Sequence, residues 1–109
     1  MHELIERLEK ATGPDVDLDH AIGRVVRPAD GHGVLGYTCS IDAALTLVPK
    51  GWRVNWAGEC PDRTWFFDLI ARNKDMAGDR YWGNTAALAL CIAALRTRRH
   101  SSAITSRDT

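Results

Sequence analysis

The chain carries no surplus of either charge: fourteen Lys and Arg stand against fourteen Asp and Glu, a formal net charge of zero. Without a basic surplus there is no general footprint for nucleic-acid phosphates, and nucleic acid is not an expected partner. Long apolar runs are missing as well. The longest, AALALCIAAL at residues 86–95, is about half of what a helix needs to cross a bilayer. The opening MHELIERLEK alternates charge with hydrophobe where a signal peptide needs an unbroken apolar core. No membrane partner is therefore expected, and the expected compartment is the cytoplasm. The three cysteines, Cys39, Cys60 and Cys91, are odd in number and too far apart for a disulfide framework or a CxxC zinc pair. That usage fits a reducing compartment. No metal or other cofactor is expected.

Catalytic spacings are also lacking. His2, His20, His32 and His100 form no HxH or HxxxH pair, and Ser40 has no GxSxG elbow around it. Gly31, Gly33 and Gly36 spell GxGxxG, but they follow a helix and Pro28 rather than a strand, so the motif reads as a turning loop. Asp15, Asp17 and Asp19 copy the start of a calcium loop, yet Ala21 and Val26 stand near its turn and closing carboxylate. They read as a helix start. Cys39 and Cys91 adjoin or sit in apolar helices, where a thiol acts as a small hydrophobe with a raised pKa. Cys60, beside Pro61, is the thiol expected to be exposed. Asp42, Glu59, Asp68 and Asp79 could pair as carboxylates only through the fold. No catalytic residue is assigned; a non-enzymatic role is favoured, and a hydrolase built from Asp or His residues that only the fold brings together stays open.

What is present describes an architecture. With 45% hydrophobic and 26% charged residues, the chain reads as one globular domain over residues 1–99. Leu4, Ile5 and Leu8 recur at helical spacing over residues 2–11, and Gly13-Pro14 stops that helix. Asp15 and Asp17 offer caps to a second, with Leu18, Ala21, Ile22 and Val25 as its apolar positions. Thr38 or Ser40 can cap a third, over residues 41–48, whose inward stripe is expected to be Ile41, Ala44, Leu45 and Val48. The period then changes to two. Trp52, Val54 and Trp56 alternate with Arg53, Asn55 and Ala57, and Trp65, Phe67 and Leu69 with Phe66, Asp68 and Ile70. A hairpin connection over residues 58–63 joins these strands, and a shorter extended piece at 79–82 is a candidate third. Asn84-Thr85 opens a final helix rich in alanine, which permits close approach to a sheet. The RTRRH that follows puts cations where a helix C-terminus favours them. Residues 100–109 are Ser/Thr-rich and expected to be a disordered tail. The expected fold class is α+β: three helices, a small antiparallel sheet of two to four strands, then a helix.

Four pieces in order, LIERLEKATGPD, YTCSIDAALTLVPKGW, the GWRVNW strand and NTAALALCIAALR, resemble small phage and prophage proteins of the phage ABA-sandwich type. The resemblance spans most of residues 3–97 and implies a central sheet flanked by helices. It brings no catalytic residues with it. The loop before Tyr37 and residues 73–83 depart from the family pattern.

Four tryptophans exceed what a core of this size needs, so some are expected to line a surface. Arg53, Asn55, Trp56, Arg63, Trp65, Arg80, Tyr81 and Trp82 combine flat rings, guanidinium forks and an amide, the chemistry a nucleotide requires. The helix starts near Tyr37, Thr38, Ser40 and Thr85 would offer N–H groups to its phosphates. Aromatic packing between sheet and helix accounts for the same rings without a ligand, and Ser or Thr at a helix start is commonly only a cap. With the resemblance, the expected function is a non-enzymatic phage or prophage binding protein in a bacterial host. It would sequester a nucleotide-like small molecule that signals host defence. The alternative is an interaction module that binds a host or phage protein through exposed tryptophans. A homo-oligomer is left open. A concave site with aromatic and Arg lining would favour the first reading, and a flat apolar patch the second.

Overall fold

The structure, a computed structural model, describes residues 2–26, 36–71 and 80–108, with side chains as far as residue 98. Gly31, Gly33, His32 and Asp79 thus lie outside the described residues. The element order is α1 (His2–Lys10), α2 (Val16–Val26), α3 (Ile41–Leu45), β1 (Trp52–Glu59), β2 (Trp65–Ala71), β3 (Arg80–Gly83) and α4 (Ala86–Asp108). This is the α+β order expected from the periodicities, with an antiparallel sheet ordered β1-β2-β3. No helix among the described residues is long and apolar enough to cross a membrane.

The apolar stripe of α1 buries Leu4, Ile5 and Leu8, as its spacing requires. Asp15 starts α2 by accepting the Leu18 N–H at 3.2 Å, and Leu18 and Ile22 turn inward. The third helix departs from its expected stripe. Ala44 and Leu47 are buried, whereas Ile41 and Leu45 stay 44% and 43% exposed. The helix docks through Ala44, and a change of helical pitch selects the next inward residue. After Leu45 the chain makes i to i−3 bonds, from the N–H groups of Thr46, Leu47 and Val48 to Ala43, Ala44 and Leu45. Three residues per turn bring Leu47 round in place of Val48.

A bulge corrects the reading of β1. Val54 pairs with Leu69 and Trp56 with Asp68, so Asn55 is one residue more than the ladder uses. Trp52 and Val54 pack toward the helices, and Trp56 is carried to the other face.

Every residue of α4 from Ala87 to Leu95 is buried, because the helix is packed by α1, α3, β2 and β3 together. A helix buried all round has no polar face to show at this level, hence the run of alanines and leucines. Its start passes so close to β3 that a Cβ at Gly83 would stand 2.6 Å from the Ala89 nitrogen. Further along, Arg96 pairs with Glu9 at 3.1 Å and lies over the Tyr81 ring, and Arg98 Nε donates to the Leu47 carbonyl at 2.7 Å. Arg96 and Arg98 are therefore tied to α1, β3 and the turn after α3, and, with α4 running on to Asp108, they stand inside the helix rather than at the C-terminus expected for them. The helical backbone continues to Asp108 through the segment expected as a tail.

Candidate functional site

The ladder divides the sequence-predicted ring and guanidinium residues between two faces. Residues directly opposite one another share a face. Trp65 lies opposite Gly83, and Phe67 opposite Tyr81, on the side that meets the helices. Trp65 and Tyr81 are half-buried there against the core, with Arg96 stacked on Tyr81 at 5.3 Å. The other face carries Trp56, Asp68 and Arg80 in one row and Gly58, Phe66 and Trp82 in the next, with Arg53 beside Ile70. Trp56 and Trp82 are 62% and 51% exposed. The Arg80 guanidinium lies over the Phe66 ring, 4.5 Å from its centroid. Gly58 leaves room beside that ring, since a Cβ would meet it at 3.1 Å. Asp68 is buried in the row between Trp56 and Arg80, and its Oδ1 has no hydrogen-bond partner among the described residues.

Phe66 and Asp68 were not among the expected site residues. Their alternation with Phe67 and Leu69 was the available signal, and only the register with β3 brings Arg80 and Trp82 beside them.

The residues expected at helix starts are occupied within the fold. Tyr37 is fully buried. The Thr38 hydroxyl donates to the Asp19 carboxylate and accepts the Asp15 N–H, both at 2.8 Å, while the Thr38 N–H donates to Asp19 at 2.7 Å. Ser40 Oγ accepts the Ala43 N–H at 3.3 Å, and Thr85 Oγ1 accepts that of Leu88 at 3.1 Å. Both hydroxyls are N-caps.

Asn55 is the bulge residue, and Arg63 sits at the hairpin turn with φ 72°. There Asp62 accepts from the Thr64 hydroxyl at 2.6 Å and from its N–H at 3.0 Å, which holds its carboxyl below the ordinary range. The thiols differ from expectation in one respect. Cys39 is exposed and Cys60 only partly so, because Cys39 lies in the turn ahead of the Ser40 cap rather than on the helix. Cys91 is buried, donates to the Tyr37 carbonyl at 3.2 Å, and is pushed up to about 12 by burial and then by the Asp19 charge.

One concavity lies between the turn after α3 and the start of β1. It is an open groove of about 450 Å³ lined by Leu45, Val48, Pro49, Lys50, Gly51, Trp52, Arg53 and Val54. Of the expected site residues only Arg53 borders it. No group of three or more His, Cys, Asp or Glu suited to a metal ion occurs among the described residues.

Comparison with protein-family models, with curated proteins and with solved structures finds no match to this chain.

Proposed function

We propose that this protein is a binding module that holds a protein partner on the outer face of its sheet, with Trp56 and Trp82 as anchors. The observation that carries this reading is the exposure of both indoles on one face, on either side of Phe66 and Asp68. A large apolar side chain left in water forgoes about 2 kcal/mol of burial free energy, and two such rings with Arg80 between make the kind of patch that interfaces use as anchors. A nucleotide is less well served. Trp65 and Tyr81 face the helices, so the rings expected to stack a base are divided. One N–H at the start of each of α3 and α4, that of Ala43 and that of Leu88, already meets its own hydroxyl cap.

The test pairs the wild-type chain with a Trp56→Ala/Trp82→Ala variant. A partner that binds at fixed stoichiometry should lose at least about a hundredfold in affinity for the variant, the sum expected for two hot-spot residues. Calorimetric titration with mono-, di- and cyclic nucleotides should meanwhile register no binding. Saturable nucleotide binding that the same variant abolishes would replace this reading with the small-molecule one.

A further inference from the structure

The outer face of the sheet is selective about the kind of protein segment it can hold. Trp56 and Trp82 are exposed on its two flanking strands, β1 and β3, while Gly58 and Phe66 between them are half-buried. The ladder puts the two indoles in neighbouring rows on either side of β2, so their Cα atoms stand about 12 Å apart. Gly58 has no side chain to raise the ground between them. Beside Trp82, the exposed Arg80 lies over the Phe66 ring. The polar atoms that these three exposed side chains bring are donors only, two indole N–H groups and a guanidinium fork. Asp68, the carboxylate of the same face, is buried.

Size and edges limit the occupant further. The stretch where all three strands lie side by side covers on the order of 200 Å² in plan, far below the ~800 Å² per partner of a standard folded interface, so a short segment fits it better than a domain or a second copy. Neither edge of the sheet, ordered β1-β2-β3 among the described residues, suits an added strand: the bulge at Asn55 interrupts β1, and β3 has only four residues. We propose that the occupant is a proline-rich segment of the partner, held as a polyproline II helix across Trp56, Phe66 and Trp82; this rests on the reading of that face as a protein-binding surface. Such a helix rises about 3.1 Å per residue, so roughly four residues carry one proline ring from the first indole to the second. Its backbone makes no internal hydrogen bonds, and each proline offers a carbonyl acceptor and no N–H donor. A row of acceptors thus meets a patch of donors. Aromatic-lined surfaces take such segments because the helix is already ordered before it binds.

The probe is a decaproline peptide, with a Gly/Ser peptide of the same length as its flexible counterpart, followed by amide and indole N–H chemical shifts of the full chain. Decaproline should produce saturable shifts centred on residues 56–58, 66 and 80–82, with a dissociation constant on the order of 0.1–1 mM. The Gly/Ser peptide should bind at least about tenfold more weakly. Trp56→Ala and Trp82→Ala should each weaken decaproline about fivefold or more. A Trp56→Phe/Trp82→Phe variant keeps both rings and loses both donors, and should weaken it several-fold. Both positions are exposed, so each variant should melt cooperatively, like the wild type. Absence of saturable shifts at low millimolar decaproline, equal binding of the two peptides, or shifts centred elsewhere overturns the proposal. So does an unchanged affinity in the alanine variants or in the phenylalanine variant. A partner that depends on Trp56 and Trp82 while decaproline fails to bind would leave the sheet-face reading standing and end this one, so the two failures are separable.

Discussion

Thr38 joins the turn before α3 to the start of α2 through one hydroxyl and one N–H. The hydroxyl donates to Asp19, a carboxylate only 7% exposed, so its removal leaves a buried charge short of a donor. Hydrogen bonds to charged groups are worth about 1.5–3 kcal/mol. Thr38→Val should therefore lower the melting temperature by roughly 10 °C, and Thr38→Ser by much less. Equal melting temperatures for Val and wild type would show that the bond is not carrying stability. Cys91 makes a pH prediction of definite sign. Its thiol is held up to about 12, above its ordinary value of 9.0, by burial first and the Asp19 charge second. A raised folded pKa means the unfolded chain releases this proton first. The stability is fully present below the unfolded pKa and is lost as pH rises from about 9 toward 12, with a slope of at most ~1.4 kcal/mol per pH unit. Urea titrations at stepped alkaline pH should show that decline in the wild type and a slope shallower by about one proton in Cys91→Ala. Identical slopes would contradict the assignment.

At the scale of elements, two local irregularities decide what each segment presents. The i to i−3 bonds after Leu45 turn Leu47 inward in place of Val48. The Asn55 bulge turns Trp56 away from the face that Trp52 and Val54 share. A third contact is a close approach. Gly83 in β3 lies against the first turn of α4, where a Cβ would meet the Ala89 nitrogen at 2.6 Å and its Cα at 2.8 Å. Both atoms belong to backbone, so no side chain can swing aside. Gly83→Ala should push α4 off the sheet and cost about 1–3 kcal/mol, measured as a lower urea midpoint with unchanged slope. A variant as stable as wild type would mean that the helix end is looser than the packing implies.

For the whole molecule, α4 is the common support. Its Cα radius of gyration of 13.4 Å matches the roughly 13 Å expected for one folded domain of this length. The chain beyond Leu95 contributes unequally to that body. Arg96, Thr97 and Arg98 reach Glu9, Tyr81, the Ala93 carbonyl and the Leu47 carbonyl. Ending the chain after Leu95 should cost about 2 kcal/mol or more. Ending it after Arg99 removes a segment of low apolar content and should leave the melting temperature within a few degrees. Equal losses from both truncations would mean that residues 100–109 also dock.

Some of this was legible in the sequence because periodicity is local. Leu4, Ile5 and Leu8, the Asp15 cap, the alternation of Phe67 and Leu69 with Phe66 and Asp68, and the apolar run of α4 each follow from the repeat of a helix or a strand. The alanines around Ala89 even indicated the close approach that Gly83 completes. What the pattern could not supply was phase and pairing. A single extra residue in β1 reverses the side of Trp56, and a change of pitch exchanges Val48 for Leu47. Neither shows in a count of hydrophobic positions, because both are hydrogen-bond choices between segments or turns. The candidate site depended on them most. Trp56, Arg80 and Trp82 come together through the register of three strands, the same register that turns Trp65 and Tyr81 to the helices. The concavity exists only because a turn ends beside a strand start. Local sequence determined the elements and most of their buried faces. Tertiary structure alone decided which aromatic and charged side chains share a surface, since that is fixed by hydrogen bonds between residues distant in the chain.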